Sequence, residues 1–203
     1  MTNYEFHLTV RYANHDKFVK FCDKLNIKPI ILELYINDVI LGDVMTSHTK
    51  KLDNDIQAYE ELNNIKKSLE NEGFNVVREK IEADYNHPNV PQTEKDLTGN
   101  PHKYLECHLN IEVNAQNDTL LKNLLIPRGF HISRNMFKKL DEKYYILMGT
   151  FRSNKLPFNE FKEYLTENIS LLTDNGFKVH KEIVEFAIYD SNISWDESWL
   201  NNR

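Results

Sequence analysis

The 203-residue chain has little cysteine, glycine or proline, and it lacks long hydrophobic segments. Its two cysteines, Cys22 and Cys107, are too few for a disulfide framework, and both lie in apolar patterns, where a free thiol packs as a small hydrophobic side chain. No segment approaches the ~18 consecutive apolar residues of a membrane-spanning helix, and the first residues lack the basic and apolar regions of a signal peptide. We therefore expect a protein of the reducing cytoplasm.

Motifs that carry well-known chemistry are also absent. The chain has no Gly-x-Gly-x-x-Gly or phosphate-binding loop, no Gly-x-Ser-x-Gly nucleophile turn, and no Cys/His cluster with the spacing of zinc ligands. The net charge of −6 disfavours binding to duplex nucleic acid, which requires an excess of Lys and Arg. We predict no metal, no cofactor, no membrane and no duplex nucleic acid among its partners.

An internal repeat is present. The segment from Asn71 to Glu82 reappears from Asp174 to Glu185, 103 positions later. Near the front of each half the spacing is 101 positions, where Phe6-His7-Leu8-Thr9-Val10 matches Cys107-His108-Leu109-Asn110-Ile111. This similarity predicts a duplicated unit of roughly 80–90 residues.

Each repeat shows the pattern of strand, helix, strand, strand, helix, strand. Apolar residues alternate in the first strand, recur at helical spacing from Phe18 to Leu25, and return at helical spacing before Gly73. A βαββαβ order is that of the ferredoxin-like unit, in which helices cover one face of an antiparallel sheet. We therefore predict an α+β fold with a tandem ferredoxin-like duplication, whose two antiparallel sheets face each other across a bilobal cleft.

The predicted boundaries follow the repeat. The first lobe spans residues 1–86, a Pro-rich linker spans 87–103, the second lobe spans 104–190, and a tail containing Trp195 and Trp199 spans 191–203. The composition of the linker opposes helix or strand within it. We expect its histidines, His87 and His102, to be solvated.

The polar faces of the two first strands carry histidine at matching positions. Alternation places His7 and His108 on these faces, so a two-fold arrangement of the lobes brings them opposite each other. The neighbouring residues on the faces are Glu5, Thr9 and Arg11 in one repeat and Glu106, Asn110 and Glu112 in the other. The final strands add Arg78, Lys80 and Lys181, and the inner strands add Thr46, His48 and Arg152 as candidates. Such groups suit a phosphate ester. They are also consistent with relics of duplication in which the histidines are hydrogen-bonded within a polar surface and the glutamates pair with neighbouring cations.

The sequence His7-Leu8-Thr9-Val10 resembles the motif of the LigT-like, or two-histidine, phosphoesterase superfamily. His108-Leu109-Asn110-Ile111 is similar, although Asn110 replaces the usual hydroxyl residue and both histidines lie on the first strand of their lobe rather than on a later one. The resemblance implies that one histidine is a general base and the other a general acid, with Thr9 and Asn110 holding the oxygens of the phosphate. It does not assign which histidine is the acid.

These observations predict a metal-independent phosphoesterase, a hydrolase, that acts on a small phosphorylated substrate or an RNA end, such as a 2′,3′-cyclic phosphate. The alternative is a noncatalytic module that binds a ligand or a protein through the same cleft. We expect a monomer or a weak dimer. The candidate catalytic residues are His7 and His108, and the candidate substrate-binding residues are Thr9, Asn110, Arg11, Arg78, Lys80 and Lys181.

Overall fold

A computed structural model describes residues 1–11, 14–36, 39–100, 102–135, 143–193 and 195. Within this part of the chain, eight strands and four α-helices follow the predicted order twice, and a fifth, short α-helix lies between the repeats. The first repeat consists of β1 (Thr2–Arg11), α1 (His15–Leu25), β2 (Lys28–Ile36), β3 (Val39–Leu52), α2 (Asp55–Asn71) and β4 (Asn75–Asp84). After α3 (Glu94–Leu97), the second consists of β5 (Tyr104–Val113), α4 (Asp118–Leu125), β6 (His131–Asn135), β7 (Tyr145–Ser153), α5 (Phe158–Asp174) and β8 (Lys178–Asp190).

The helices begin and end where the sequence provides caps. The side chain of Asn14 accepts a hydrogen bond from the Lys17 amide at the start of α1, and Asn54 accepts one from Gln57 at the start of α2. These side chains pair amides that the first helical turn leaves without a partner. Gly73 and Gly176 follow α2 and α5 with φ of 88° and 79°, a conformation that glycine adopts without strain.

The apolar faces of the strands pack against the helices. Tyr4, Phe6 and Leu8 of β1 are buried in one hydrophobic core with Phe18 of α1 and Leu62 of α2. Alternate residues of the same strand, including Glu5 and His7, therefore point away from the helices. The second repeat follows the same rule along β5, so both polar faces lie on the opposite side of the sheet from the helices.

The structure differs from the predicted pair of facing sheets, because the strands form one closed antiparallel barrel. The strand order is β1-β3-β2-β6-β7-β5-β8-β4, and β4 pairs again with β1. The repeats are joined by two pairings, β4 with β8 and β2 with β6. Each of these is an edge strand of its own repeat, and pairing satisfies amide and carbonyl groups that an open edge would leave exposed. The polar faces of the two repeats therefore line the interior of one barrel and do not face each other across a cleft between two sheets.

The register of the strand pairs also follows the internal repeat of the sequence. In the β4–β8 pair, Ala83 lies opposite Phe186, and these residues are themselves 103 positions apart. The register shifts between Thr9 and Val10 where β1 meets β4, and the same shift occurs at the equivalent step, between Asn110 and Ile111, where β5 meets β8. A shared β-bulge at equivalent positions is a further sign that both repeats have one backbone plan.

The linker departs from two expectations. It contains the short helix α3, which begins at a capping box formed by Thr93 and Asp96, so the prediction that it lacks helix was wrong. His87 is also not solvated, since it is buried with Nε2 3.0 Å from Asp55 Oδ1. His102 is exposed, as predicted, although its Nδ1 lies 2.6 Å from the carbonyl oxygen of Asp190. Local composition cannot reveal such contacts, because their partners are distant in sequence.

Part of the tail docks on the barrel. The indole of Trp195 donates a hydrogen bond to Asp43 Oδ1 at 3.3 Å, and the Arg11 guanidinium lies 5.4 Å from its ring centre. Trp199 lies outside the described residues.

None of the helices in the described ranges is long and apolar enough to cross a lipid bilayer.

Candidate functional site

The candidate site lies on the interior face of the closed sheet. His7 of β1 and His108 of β5 occupy equivalent positions on this face, and 15% and 18% of their side chains remain exposed. In each repeat the imidazole lies between two glutamates, one two residues earlier on its own strand and one from the final strand of the repeat. The two repeats therefore share the histidine together with its two glutamates.

His7 has hydrogen-bond acceptors at both ring nitrogens. Its Nδ1 lies 2.9 Å from the carbonyl oxygen of Thr46, and its Nε2 lies 3.1 Å from Glu82 Oε2 and 3.4 Å from Glu5 Oε1. Because carbonyl and ionised carboxylate oxygens only accept, both nitrogens must donate and the ring is an imidazolium. Burial alone would lower the pKa of His7, but the hydrogen bond to Glu82 and the charges of Glu5 and Glu82 raise it to about 9.

His108 has a different neighbour at Nδ1. Its Nε2 lies 3.2 Å from Glu106 Oε1 and 3.5 Å from Glu185 Oε2, so this nitrogen donates, whereas Nδ1 lies 2.9 Å from the Thr150 hydroxyl. A hydroxyl can accept or donate, so His108 can hold or release the proton on Nδ1 without leaving a buried group unpaired. Burial opposes the charged ring, but the hydrogen bond to Glu106 and the surrounding carboxylates raise the pKa of His108 above its usual value.

Lys80 links the two histidines into one network. Its ammonium lies 2.6 Å from Glu82 Oε1 and 2.9 Å from Glu106 Oε2, which gives a continuous chain from His7 through Glu82, Lys80 and Glu106 to His108. We call these five residues the central ion cluster. Arg152 of β7 also binds Glu106 Oε2, through Nε at 2.9 Å and Nη2 at 2.8 Å.

The charges of the central ion cluster stabilise one another. Burial would raise the pKa of Glu82 and Glu106, but Lys80 and His7 lower that of Glu82 to about 2, and Arg152 and Lys80 hold that of Glu106 well below its usual value. The same carboxylates raise the pKa of Lys80, although burial opposes this. Both glutamates and the lysine are therefore charged at neutral pH.

The two repeats differ at the position of this lysine. The residue equivalent to Lys80 is Ile183, so this position supplies no ammonium to Glu185, the counterpart of Glu82. Its cation contact within the described ranges is His108 Nε2. Burial and the charge of Glu82 raise the pKa of Glu185 to about 8, so this carboxyl is mostly protonated at pH 7.

Three of these residues have the composition of a metal site. Potential ligand atoms of Glu82, Glu106 and His108 lie within 4.8 Å of one another. However, the ammonium of Lys80 already lies within hydrogen-bond distance of both carboxylates. A metal ion at this site would therefore compete with Lys80 for the two carboxylates.

Of the predicted substrate-binding cations, Arg78 is held in a second ion pair. Its Nε and Nη2 lie 2.9 and 2.6 Å from the two oxygens of Asp190, which also accepts a hydrogen bond from the Tyr104 hydroxyl at 2.6 Å. Burial would raise the pKa of Asp190, but Arg78 lowers it to about 2. Arg78 therefore joins β4 to β8, whereas Lys80 belongs to the central ion cluster.

The structure does not gather the remaining predicted residues around the histidines. Three antiparallel pairings separate β1 from β5, so these strands run in opposite directions. Thr9 and Asn110, each two residues beyond its histidine, are consequently displaced toward opposite ends of the barrel. Thr9 lies beside Arg78 in the register and Asn110 lies beside Lys181, while Arg11 and Lys181 are exposed.

Three residues of the site were not predicted from the sequence: Glu82, Glu185 and Thr150. Two signals were available for the first two. Period-two alternation from Lys80 reaches Glu82, and the repeat spacing of 103 leads from Glu82 to Glu185. The same spacing relates Thr150 to Ser47, but only the coordinates show that the threonine contacts a histidine.

We expect the stability of the protein to fall as the pH rises from 5 to 9. His7 and Glu185 have pKa values that are higher in the folded state than the usual unfolded values, so the folded state binds more protons in this window and loses that advantage as the protons leave. Glu82 and Asp190 act in the opposite sense, but only below about pH 4. Urea unfolding should show a maximum near pH 5 and a decrease of roughly 2–4 kcal/mol by pH 9.

The variant His7→Gln provides the control for this measurement, because its side chain cannot titrate. Its stability should depend less on pH than that of the wild type between pH 6.5 and 9. A wild-type stability that is constant or rises across this window would contradict the assigned protonation states.

No family model and no curated protein sequence matches the chain. Among solved structures, the small subunit of acetolactate synthase from Thermotoga maritima is similar over 93% of this chain and 98% of that chain, with 11% identity and a TM-score of 0.30. An unknown protein from Galdieria sulphuraria is similar over 91% of this chain and 98% of that chain, with 11% identity and a TM-score of 0.27. The function of the interior site is therefore inferred below from the residues of this chain alone.

Proposed function

We propose that the barrel interior is the active site of a metal-independent phosphoesterase that acts on a small phosphodiester, such as a cyclic nucleotide or the 2′,3′-cyclic phosphate of an RNA end. The observation that carries this proposal is the convergence of His7 and His108 on one network through Glu82, Lys80 and Glu106. Two proton-transfer groups, one from each repeat, are the arrangement that general acid–base cleavage of a phosphodiester needs.

The contacts of the two rings support different roles. His7 has protons on both nitrogens and acceptors at both, so it is suited to act as the general acid that protonates the leaving oxygen. His108 can release its Nδ1 proton because the neighbouring hydroxyl of Thr150 can donate in its place. It is therefore suited to act as the general base that removes a proton from the attacking group, which is water or a hydroxyl.

The local charge is compatible with an anionic substrate. The carboxylates of Glu5, Glu82 and Glu106 are offset by Lys80, Arg152 and the imidazolium of His7. Glu185 adds little negative charge at neutral pH, because its pKa is about 8. A monoanionic phosphodiester would thus enter a site with no large excess of negative charge, and donors that face the phosphoryl oxygens would stabilise the transition state.

Polar groups for the rest of the substrate lie beyond the histidines, and they include the buried Thr9 and Asn110 and the exposed Arg11 and Lys181. Thr9 and Arg11 extend toward one end of the barrel, and Asn110 and Lys181 extend toward the other. In this proposal they bind the groups on either side of the phosphorus and not one shared phosphate oxygen.

The test is turnover of a panel of cyclic nucleotides and RNA-end cyclic phosphates in the presence of EDTA. The proposal predicts hydrolysis of at least one diester without added metal, with wild-type activity in the variant His48→Gln. His48 is a matched control because it lies on the outer face and contacts Glu61 at 3.2 Å. Absence of hydrolysis across the panel between pH 5 and 9, or activity that EDTA abolishes, would contradict the proposal.

A noncatalytic binding module is the second candidate. It is favoured by the fact that all four ring nitrogens of His7 and His108 already have a protein partner within 3.5 Å. Saturable binding of diesters without turnover in the same panel would support this candidate over the enzyme.

A further inference from the structure

The hydroxyl of Thr150 is placed like the nucleophile of a catalytic triad. It lies 2.9 Å from Nδ1 of His108, and the opposite nitrogen of that ring lies 3.2 Å from Glu106 Oε1. A hydroxyl beside an imidazole that is oriented by a carboxylate is the general signature of an activated oxygen nucleophile. The protonation of the ring also fits this role. Nε2 of His108 donates to carboxylates, so the nitrogen that can accept a proton is Nδ1, which faces Thr150.

The backbone and the ion pairs fix this geometry. Thr150 lies directly opposite His108 in the β5–β7 register, and Arg152 lies directly opposite Glu106. Lys80 and Arg152 both bind Oε2 of Glu106, which leaves Oε1 facing the imidazole. The carboxylate is thus held from one side and orients the ring from the other.

The first repeat does not have this connection. Ser47 is the equivalent of Thr150, but its hydroxyl donates to Glu5 Oε1 at 2.6 Å. The Nδ1 of His7 donates instead to the backbone carbonyl of Thr46. Two equivalent hydroxyls therefore have different partners, and only the one in the second repeat contacts a ring nitrogen.

We infer that Thr150 is a nucleophile that forms a covalent phosphothreonyl intermediate, with His108 as its base. The inference takes its substrate class from the proposed function. Thr150 Oγ1 bonds to phosphorus while His108 Nδ1 takes the hydroxyl proton, the bond from phosphorus to the leaving oxygen breaks, and His7 protonates that oxygen. Water then attacks phosphorus and gives a proton to the neutral His7, the bond from phosphorus to Thr150 Oγ1 breaks, and His108 returns its proton to that oxygen. The net result is the addition of one water to the diester, which gives a phosphomonoester and a free hydroxyl, and for a cyclic diester both remain on the same molecule.

The test is labelling with diisopropyl fluorophosphate, which does not require the substrate to be known. Thr150 Oγ1 would bond to phosphorus, fluoride would leave, and His108 would take the proton. Mass spectrometry of the intact protein and its peptides should show one diisopropylphosphoryl group, located on Thr150. Thr150→Val should not be labelled, Thr150→Ser should be labelled, and His108→Gln should be labelled at least about 100-fold more slowly.

Ser47→Ala is the matched control, since it removes the equivalent hydroxyl of the other repeat and should be labelled at the wild-type rate. Labelling of Thr150→Ser shows in addition that the site tolerates a change at this position. Absence of label on the folded wild type, or label at another residue that survives Thr150→Val, would overturn the inference.

The outcomes also separate this inference from the proposed function. Hydrolysis of a diester that continues in Thr150→Val, without labelling of the wild type, would retain the phosphoesterase and reject the covalent nucleophile in favour of direct attack by water. Labelling of Thr150 without hydrolysis of any diester would support the nucleophile and reject the proposed substrate class.

Discussion

Replacing His108 with glutamine is expected to lower kcat for the hydrolysed phosphodiester by about 10²–10⁴-fold, the usual contribution of one positioned proton transfer. Glutamine can still hydrogen-bond to Thr150 and Glu106, but it cannot take a proton at neutral pH. His7→Gln should reduce kcat by a similar factor for the opposite reason, because it removes the proton that the leaving oxygen receives. Steady-state kinetics from pH 5 to 10 would measure both effects.

The pH profile distinguishes the two roles. In the wild type, activity should rise as His108 loses its proton and fall as His7 loses its own near pH 9. His108→Gln should lose the acidic limb of this profile, and His7→Gln should lose the alkaline limb. The double variant should be little worse than either single variant, since residues that act in one step have non-additive effects. Wild-type kcat in either folded single variant would contradict the assigned roles.

Glu106→Gln is expected to destabilise the protein by about 3–5 kcal/mol, because it leaves buried charges without their partner. Glu106 is 4% exposed and contacts three cationic groups, on Lys80, Arg152 and His108. The glutamine amide cannot neutralise them, so their desolvation is no longer offset. Urea unfolding at pH 7 would measure the change in free energy.

Two further variants make this measurement specific. Glu112→Gln lies on the same strand and removes a more exposed contact with His180, so it should cost less than about 1 kcal/mol. The double variant Lys80→Met/Glu106→Gln should lose less unfolding free energy than the sum of the two single variants, because both single changes remove the same ion pair between Lys80 and Glu106. A loss below about 1 kcal/mol for Glu106→Gln, or strict additivity with Lys80→Met, would show that the network does not stabilise the fold.

Much of the local structure could be predicted from the sequence because it depends on short-range patterns of apolar, polar and glycine residues. Alternation in β1 and β5 predicted which face carries His7 and His108, and the repeat spacing predicted that the two positions are equivalent. Helix α2 and the turn at Gly73 follow from apolar spacing and from the conformational freedom of glycine. These features depend on residues that are close together in the chain.

The closure of the sheet could not be predicted in the same way. Nothing in the alternation of β4 or β8 indicates that these edge strands pair with each other and not with solvent or another chain. Lys80 of β4 contacts Glu106 of β5 only because β4 pairs with β8, so this ion pair could not be predicted from the sequence. The motif alone suggested that Thr9 and Asn110 would bind the same phosphate. Because β1 and β5 run in opposite directions, these two residues lie toward opposite ends of the barrel.

The most direct test of this account follows the ring nitrogens of the two histidines by NMR while inorganic phosphate is added. If one imidazole from each repeat faces a single phosphate, the ¹⁵N resonances of His7 and His108 should move along one binding curve with the same Kd, and those of the other six histidines should remain in place. Resonances that move with different affinities, or that do not move while the protein hydrolyses a diester, would show that the two histidines do not share a site.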